Sequence, residues 1–156
     1  MKVLVTGGTG QVAKSLVSVG ATSGARVIAV GRPSLDITVP ESILDAINTN
    51  CPDVIVNAAA YTAVDRAESE PKLAHLVNAV GAENVSRAAQ EAGVPIIHIS
   101  TDYVFDGDKE DAYIETDATN PVSVYGRTKL EGEAAVAAAN PRHVILRTAW
   151  VHSPFG

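Results

Sequence analysis

The sequence predicts an α/β protein with a doubly wound parallel sheet, because short apolar runs alternate with helical patterns along the chain. Near-continuous apolar runs of this kind are typical of parallel strands that helices cover on both faces. The five strand candidates are residues 3–5, 26–30, 54–56, 94–100 and 144–147. The expected strand order is 3-2-1-4-5, the Rossmann type.

The segments between the strand candidates have the features of helices. Residues 11–19 are amphipathic. A helix over about 40–48 would have Pro40 at its first position, where a missing N–H costs nothing. A long helix over about 71–92 would end at Gly93, a residue suited to a helix C-terminus. Residues 106–121 contain most of the loop-forming residues, and we interpret them as an ordered functional loop.

Composition limits the class of protein. The 156 residues suffice for one domain with a core, and 46% hydrophobic with 19% charged residues indicates a globular chain. A net charge of −6 without a Lys/Arg cluster argues against nucleic-acid binding. No apolar stretch reaches the ~20 residues of a membrane span, and Cys51 has no second cysteine to pair with. We therefore expect a cytoplasmic protein without nucleic-acid or membrane partners.

A glycine-rich turn between the first strand and the first helix predicts a dinucleotide site. It reads Thr6-Gly7-Gly-Thr-Gly10-Gln-Val-Ala13. One glycine allows a tight turn, another lets the backbone approach a pyrophosphate, and Ala13 lets the helix pack closely. The pyrophosphate would bind to free N–H groups at the positive end of the helix. An ordinary glycine-rich loop is the alternative.

The end of the second strand bears on the choice of cofactor. An acidic residue there would bind the ribose hydroxyls of NAD, whereas an arginine can accept the 2′-phosphate of NADP. The strand ends in Val30-Gly31-Arg32, so Arg32 favours NADPH, with a solvated arginine as the alternative. Asp36 could still reach the adenine or its ribose, which keeps NADH open.

Tyr125 and Lys129 are four residues apart, which places them on the same face of a helix. A free phenol titrates near a pH of about 10, and a nearby ammonium lowers that pKa toward the range of efficient proton transfer. Thr101, at the carboxyl end of the fourth strand, would offer a hydroxyl to the same carbonyl oxygen. Together with the glycine turn, these residues predict a nicotinamide-dependent carbonyl reductase. Each residue alone also has an ordinary structural explanation.

The remaining titratable residues indicate no metal site. The histidines are far apart and lack metal-ligand spacing, so we expect a structural role for each. They are His75, His98, His143 and His152. An acidic run before Pro71 is interpreted as a solvated loop and helix start, where carboxylates favour the helix dipole. It comprises Asp65, Glu68 and Glu70.

Several segments together resemble the extended short-chain dehydrogenase/reductases, and within them the reductases of nucleotide-linked 4-keto sugars. The matching segments are Gly7-Gly-Thr-Gly10-Gln-Val, residues 52–71, Ile99-Ser-Thr-Asp-Tyr-Val-Phe105, Glu115-Thr-Asp117, Val124-Tyr-Gly-Arg-Thr-Lys129 and Leu146-Arg-Thr-Ala-Trp-Val151. The second and third segments are far more specific than the glycine turn. The resemblance implies that hydride passes from NADPH or NADH to the 4-keto carbon of dTDP-4-dehydro-L-rhamnose, which yields dTDP-L-rhamnose.

The resemblance also implies a role for individual residues. Tyr125 would protonate the developing alkoxide. Lys129 would lower the pKa of Tyr125 and hold the nicotinamide ribose. Thr101 would donate a hydrogen bond to the reacting oxygen, and Asn78 would be a structural asparagine. Beside Gly7 and Arg32, the expected cofactor contacts are Gly10, Gln11, Val12, Asp36, Ile37, Ala60, Tyr61 and Thr62. The residues expected to face the sugar are Thr101, Asp102 and Trp150.

The sequence departs from the family pattern in two ways. Family members run to nearly twice this length, so we expect residues 1–156 to be an NAD(P)-binding Rossmann domain with the nucleotide-sugar-binding part missing or truncated. Some relatives use a glutamate of the first helix for a magnesium-linked dimer, but Ser15 stands there. Magnesium is therefore not expected, and a homodimer stays open. Another nucleotide-sugar epimerase or dehydratase, and a non-catalytic NADP-binding regulatory subunit, are the alternative functions.

Overall fold

A computed structural model describes residues 1–155, which contain five strands and six α-helices. The strands are β1 Lys2–Thr6, β2 Arg26–Val30, β3 Val54–Asn57, β4 Ile96–Thr101 and β5 His143–Thr148. The helices are α1 Gln11–Ser23, α2 Pro40–Asn50, α3 Val64–Ala67, α4 Pro71–His75, α5 Ala82–Glu91 and α6 Val124–Ala139. A π-helical turn, Leu76–Gly81, joins α4 to α5, and a 3-10 turn, Asp102–Val104, follows β4. All five predicted strands are present.

The sheet is parallel throughout, with the order β2-β1-β3-β4-β5. The predicted doubly wound class is confirmed, but the predicted order 3-2-1-4-5 is wrong, because β3 pairs with β1 on the side away from β2. The reason is the side on which each helix packs. Ala13 of α1 packs with Val3 on one face, whereas Ile43 of α2 packs with Leu4 on the other. Right-handed crossovers over opposite faces lead in opposite directions.

The core is divided by the sheet into two apolar clusters, since alternate strand residues point to opposite faces. The larger cluster lies under α2, α5 and α6 and contains Leu4, Ile55 and Ile96. The smaller cluster lies under α1 and contains Val5 and Val56. Because all strands run in one direction, their carboxyl ends meet at one edge, which is where ligands bind in open α/β sheets. Within residues 1–155, no helix is both long and apolar enough to span a bilayer.

The predicted helix over 71–92 is present but is not uniform. Its middle is the π-helical turn Leu76–Gly81, a form that occurs frequently at functional sites. Gly93 follows α5 with φ of +67°, in agreement with its predicted place at the helix end.

Helix α6 approaches its neighbours closely at two glycines. A Cβ atom on Gly126 would collide with the carbonyl oxygen of Tyr103, and one on Gly132 would collide with that of Asn78. The helix therefore lies directly against the 3-10 turn at one point and against the π-helical turn at the other.

Candidate active site

The carboxyl edge of the sheet brings Thr101 and Tyr125 together. Thr101 is the last residue of β4, and its hydroxyl oxygen accepts a hydrogen bond from the N–H of Tyr103 at 3.2 Å. The hydroxyl also donates to Asp102 Oδ1 at 3.1 Å, which holds Asp102 at the start of the 3-10 turn. Tyr125 lies in the first turn of α6, near enough to the Thr101 hydroxyl for that hydroxyl to lower the pKa of its phenol. The predicted phenol and hydroxyl therefore lie close together.

The start of α6 is held by two caps. Ser123 Oγ accepts a hydrogen bond from the N–H of Gly126 at 3.0 Å. Glu68, just after α3, accepts from the N–H of Val124 at 2.7 Å, which places a carboxylate at the positive end of the helix. The sequence indicates that Glu68 serves the helix starting at Pro71, and the structure corrects this: it caps the helix that carries Tyr125.

The pKa of Tyr125 is raised, chiefly by burial. The hydrogen bond with Thr101 acts in the opposite direction, and the charges of Asp102 and Tyr103 raise the pKa further. The ring of Tyr103 packs edge-to-face on that of Tyr125, with centroids 5.5 Å apart. Lys129 is not among the groups that shift the pKa of Tyr125 here, so its lowering of that pKa stays a prediction.

Lys129 extends from α6 toward the sheet and is only 2% exposed. Its Nζ donates a hydrogen bond to the carbonyl oxygen of Ile99 at 2.7 Å and lies 3.5 Å from Nε2 of His98. Burial lowers the pKa of the Lys129 amine to about 8, against the attraction of the Glu133 carboxylate. The buried amine is therefore less basic than a solvated lysine.

A chain of buried polar side chains leads from Lys129 across the sheet. His98 Nδ1 lies 3.1 Å from Asn57 Nδ2, and Asn57 Oδ1 accepts from the hydroxyl of Thr6 at 2.6 Å. Burial first and the Lys129 charge second lower the pKa of His98 to about 3, so the ring is neutral. This contact was not predicted from the sequence. Asn57 and Lys129 are 41 and 31 residues from His98, and no short motif connects them.

Asn78, in the π-helical turn, connects α6 to the segment after β3. Its side chain accepts from the N–H of Tyr61 at 2.8 Å and donates to the carbonyl of Tyr61 at 3.2 Å. It also donates to the hydroxyl of Thr128 at 3.1 Å, and that hydroxyl donates to the carbonyl of Tyr125 at 3.0 Å. These contacts are those of a structural residue. The segment held in this way contains the predicted cofactor residues Ala60, Tyr61 and Thr62.

The glycine turn has the features that a bound pyrophosphate requires. Helix α1 begins after Gly10 without a side-chain cap, so the N–H groups of Gln11 and Val12 have no helical acceptor. Gly7 has φ of +72°, and a Cβ there would lie 3.0 Å from the backbone of Ala59. Gln11 Oε1 is buried and has no hydrogen-bond partner within residues 1–155. Uncapped donors and a cradle of bare backbone fit an anionic dinucleotide.

The loop after β2 exposes Arg32 to solvent but holds Asp36 in hydrogen bonds within the loop. Arg32 is exposed, and its charge is the weakest of the effects that lower the pKa of Asp36. The strongest are hydrogen bonds with Thr38, whose N–H and hydroxyl donate to Asp36 Oδ1 at 2.9 and 2.7 Å. The side chain of Ile37 is 5% exposed and packs against Gly81, so it belongs to the core. Arg32 therefore offers an exposed cation, while Asp36 and Ile37 shape the loop.

Trp150 lies beyond β5 and is 93% exposed, with φ of +50°. The next residue, Val151, accepts a hydrogen bond through its carbonyl from Gln11 Nε2 at 3.0 Å. The segment after β5 therefore returns to the glycine turn, at the same edge as Thr101 and Tyr125. Within residues 1–155, no three His, Cys, Asp or Glu side chains form a group that could hold a metal ion.

Fold and site together define a class of protein. A parallel sheet, a glycine turn before α1 and a Tyr-x-x-x-Lys pair on a helix beside the carboxyl edge belong to the Rossmann-type short-chain dehydrogenase/reductases. A family model described as RmlD substrate binding domain matches residues 1–156. The chain belongs to that family.

Individual relatives agree with the family. The dTDP-4-dehydrorhamnose reductase of Sinorhizobium fredii (strain NBRC 101917 / NGR234) is 51% identical over all 156 residues, which cover 52% of that protein. The reductase of Escherichia coli (strain K12) is 46% identical over 160 residues, with 53% of it covered. The chain thus spans about half the length of the curated relatives that it matches.

Solved structures give the same result. A dTDP-4-dehydrorhamnose reductase from Clostridium acetobutylicum ATCC 824 superposes with a TM-score of 0.94 at 42% identity, over 99% of this chain and 55% of that one. The enzyme of Bacillus anthracis str. Ames in complex with NADP has a TM-score of 0.92 at 36% identity, over 97% and 54%. A UDP-glucose 4-epimerase from Thermus thermophilus, 23% identical with a TM-score of 0.86 over 94% of this chain and 54% of that one, shares the fold.

Proposed function

We propose that this chain carries the NAD(P)-binding domain and the catalytic residues of an NADPH-dependent reductase of dTDP-4-dehydro-L-rhamnose. The observation that supports it most directly is that the Thr101 hydroxyl and the Tyr125 phenol lie close together at the sheet edge that also carries the uncapped N-terminus of α1. NADH is the second candidate cofactor. The proposed compartment is the cytoplasm, because Cys51 is the only cysteine.

The relatives support the substrate class. The matched proteins from Sinorhizobium fredii and Escherichia coli are named dTDP-4-dehydrorhamnose reductases, and the Bacillus anthracis structure contains NADP. Since the chain spans about half of each relative, the activity of the whole protein and a homodimer belong to this proposal. The shared region includes the glycine turn, Thr101, Tyr125 and Lys129.

The chain's own residues suit the acid step of a carbonyl reduction. The chemistry that a dinucleotide bound at the glycine turn would supply is hydride transfer to the keto carbon. Because burial raises the pKa of Tyr125, the phenol keeps its proton at neutral pH and can donate it to the oxygen that becomes an alkoxide. Thr101 would donate a hydrogen bond to the same oxygen once its hydroxyl turns away from Asp102. Lys129 lies one turn along α6, and its amine would have to leave the carbonyl of Ile99 to bind the ribose beside the phenol.

The first experiment is a fluorescence titration of the 156-residue chain with NADPH and with NADH. Saturable binding that is tighter for NADPH is the expected result. A folded chain, checked by circular dichroism in the same sample, that binds neither dinucleotide would contradict the cofactor assignment.

The second experiment tests the reaction in a chimera. This chain replaces the matching segment of the Sinorhizobium fredii reductase, which supplies the remaining half of the protein. Oxidation of NADPH that depends on dTDP-4-dehydro-L-rhamnose is expected. A chimera that binds NADPH and the nucleotide sugar without turnover would instead favour a regulatory subunit.

A further inference from the structure

The imidazole of His98 lies between two nitrogen atoms inside the protein. Its Nδ1 is 3.1 Å from the amide nitrogen of Asn57, and its Nε2 is 3.5 Å from Nζ of Lys129. A neutral imidazole has one N–H and one lone pair, so only one of these neighbours can donate to the ring. The position of the ring proton therefore determines whether the Lys129 amine faces an N–H group or a lone pair of the ring.

Thr6 determines which neighbour donates. The N–H of Ala59 donates to Thr6 Oγ at 3.2 Å, and the Thr6 hydroxyl donates to Asn57 Oδ1 at 2.6 Å. With its oxygen occupied in this way, Asn57 turns its NH₂ group to His98 and donates to Nδ1. In the reverse orientation, Ala59 and Asn57 would both donate to Thr6 Oγ, and the Thr6 hydroxyl proton would lose its acceptor. The orientation with the amide oxygen toward Thr6 therefore places the ring proton on Nε2, on the side of Lys129.

We propose that His98 is a positioning residue for Lys129, because it presents an N–H group rather than a lone pair to the lysine amine. The amine then directs its own protons to the carbonyl oxygen of Ile99, 2.7 Å away. An N–H facing an ammonium disfavours the charged amine. The relevance of this arrangement to carbonyl reduction rests on the proposed function.

Other charged and polar groups near the Lys129 amine lie on α6 and on the neighbouring strands. On α6, Glu133 attracts the ammonium and Tyr125 lies one turn away. Glu133 is held by the guanidinium of Arg147 from β5 at 2.7 Å and by the hydroxyl of Ser100 from β4 at 2.5 Å. The neighbour from β3, Asn57, carries no charge. The N–H of the His98 ring therefore opposes the attraction of the Glu133 carboxylate, whose charge is already balanced by Arg147.

The primary experiment measures the unmodified chain and uses a variant only to assign one signal. Ring-nitrogen NMR spectra of the 156-residue chain labelled with ¹⁵N-histidine distinguish the two neutral tautomers directly. His98 is identified by the signal that disappears in His98→Asn. We expect the tautomer with the proton on Nε2. A ring protonated on Nδ1 at neutral pH would overturn the proposal.

The second experiment tests whether the tautomer of His98 affects the titration of Lys129. In Asn57→Asp the carboxylate can only accept, so the proton moves to Nδ1 and Nε2 becomes an acceptor for the ammonium. The midpoint of the Lys129 Cε–H titration is then expected to rise by about one pH unit or more. An unchanged tautomer, or an unchanged midpoint, contradicts the proposal.

Neutral variants control for the added charge. Thr6→Val removes the donor to Asn57 and is expected to increase the fraction of the Nδ1 tautomer, with a small rise of the Lys129 midpoint. Thr6→Ser keeps the hydroxyl and is expected to leave both unchanged. A midpoint that rises in Asn57→Asp but stays constant when Thr6→Val alters the tautomer would attribute the effect to charge alone and refute the proposal.

These measurements are independent of the dinucleotide titration. Failure to bind NADPH by a chain with the expected tautomer would refute the proposed function alone. Tight NADPH binding by a chain with the opposite tautomer would refute only the role of His98.

Discussion

The two sides of the candidate site are built from different chemical groups. Around the glycine turn, backbone N–H groups and bare glycines form the surface, and the charged side chain nearby, Arg32, is exposed. On the α6 side, buried side chains such as Lys129, His98 and Asn57 contact one another across three elements. A surface made of backbone depends on local sequence, whereas a buried polar chain depends on residues far apart. The two sides should therefore respond differently to substitution.

The largest effect is expected from Tyr125→Phe, which removes one hydroxyl from the α6 side. Loss of the proton donor should lower turnover of the chimera by on the order of 10²–10⁴-fold, while NADPH binding changes little. Steady-state rates and the NADPH titration measure the two effects. Tyr113→Phe, which removes a phenol in the loop before α6, serves as control. Near-normal turnover of Tyr125→Phe would contradict its role as the acid.

Lys129→Met should change how stability depends on pH. The folded pKa, about 8, lies below the usual value of 10.5, so the unfolded chain binds more protons between these values. Stability should therefore rise with pH across this window, by about 3 kcal/mol for the full shift. Urea unfolding at several pH values should show that rise in the unmodified chain and a flatter profile in Lys129→Met. The exposed Lys72→Met should retain the rise, and a profile that Lys129→Met leaves intact would contradict the burial of a titrating amine.

Gly7→Ala tests the backbone side, with Gly24→Ala as matched control. Both glycines have φ near +72°, but a Cβ at Gly24 meets nothing within 4 Å, whereas at Gly7 it meets the backbone of Ala59 at 3.0 Å. Gly24→Ala should cost about 1 kcal/mol of unfolding free energy. Gly7→Ala should cost about 1–3 kcal/mol more and weaken NADPH binding. Equal losses in the two variants would show that the close approach is not important.

The smallest effect is expected from Arg32→Ala. If the guanidinium binds the 2′-phosphate, NADPH affinity should fall by about ten-fold, while NADH affinity stays constant. Arg26→Ala, at the opposite end of β2, is the control. An equal loss for both dinucleotides would remove Arg32 from the choice of cofactor.

Sequence predicted the backbone side better than the α6 side. The glycine turn is contiguous, and its spacing states where the turn, the close approach and the helix must be, so Gly7, Gly10 and Ala13 have the predicted places. The Tyr-x-x-x-Lys spacing also predicted a helix correctly. It could not predict that Lys129 turns to Ile99 and His98, because those contacts depend on how α6 packs on β4.

The strand order illustrates the same limit. Five strands and the parallel class follow from apolar runs, but the place of β3 depends on which face α2 covers. Both faces of this sheet are apolar, and the pattern of α2 alone does not distinguish them. The π-helical turn was equally hidden, since its residues continue an ordinary helical pattern.

The two glycines of α6 have a mechanical consequence. Gly126 and Gly132 set the helix directly against carbonyl oxygens of the 3-10 turn and the π-helical turn, with no flexible side chain between the backbones. Such contacts between rigid backbones leave the helix little freedom to slide or roll. The depth of the Tyr125 phenol relative to β4 is therefore determined by these contacts between backbones. Any opening that admits a ligand must then come from the connecting segments around the helix, while α6 itself stays in place.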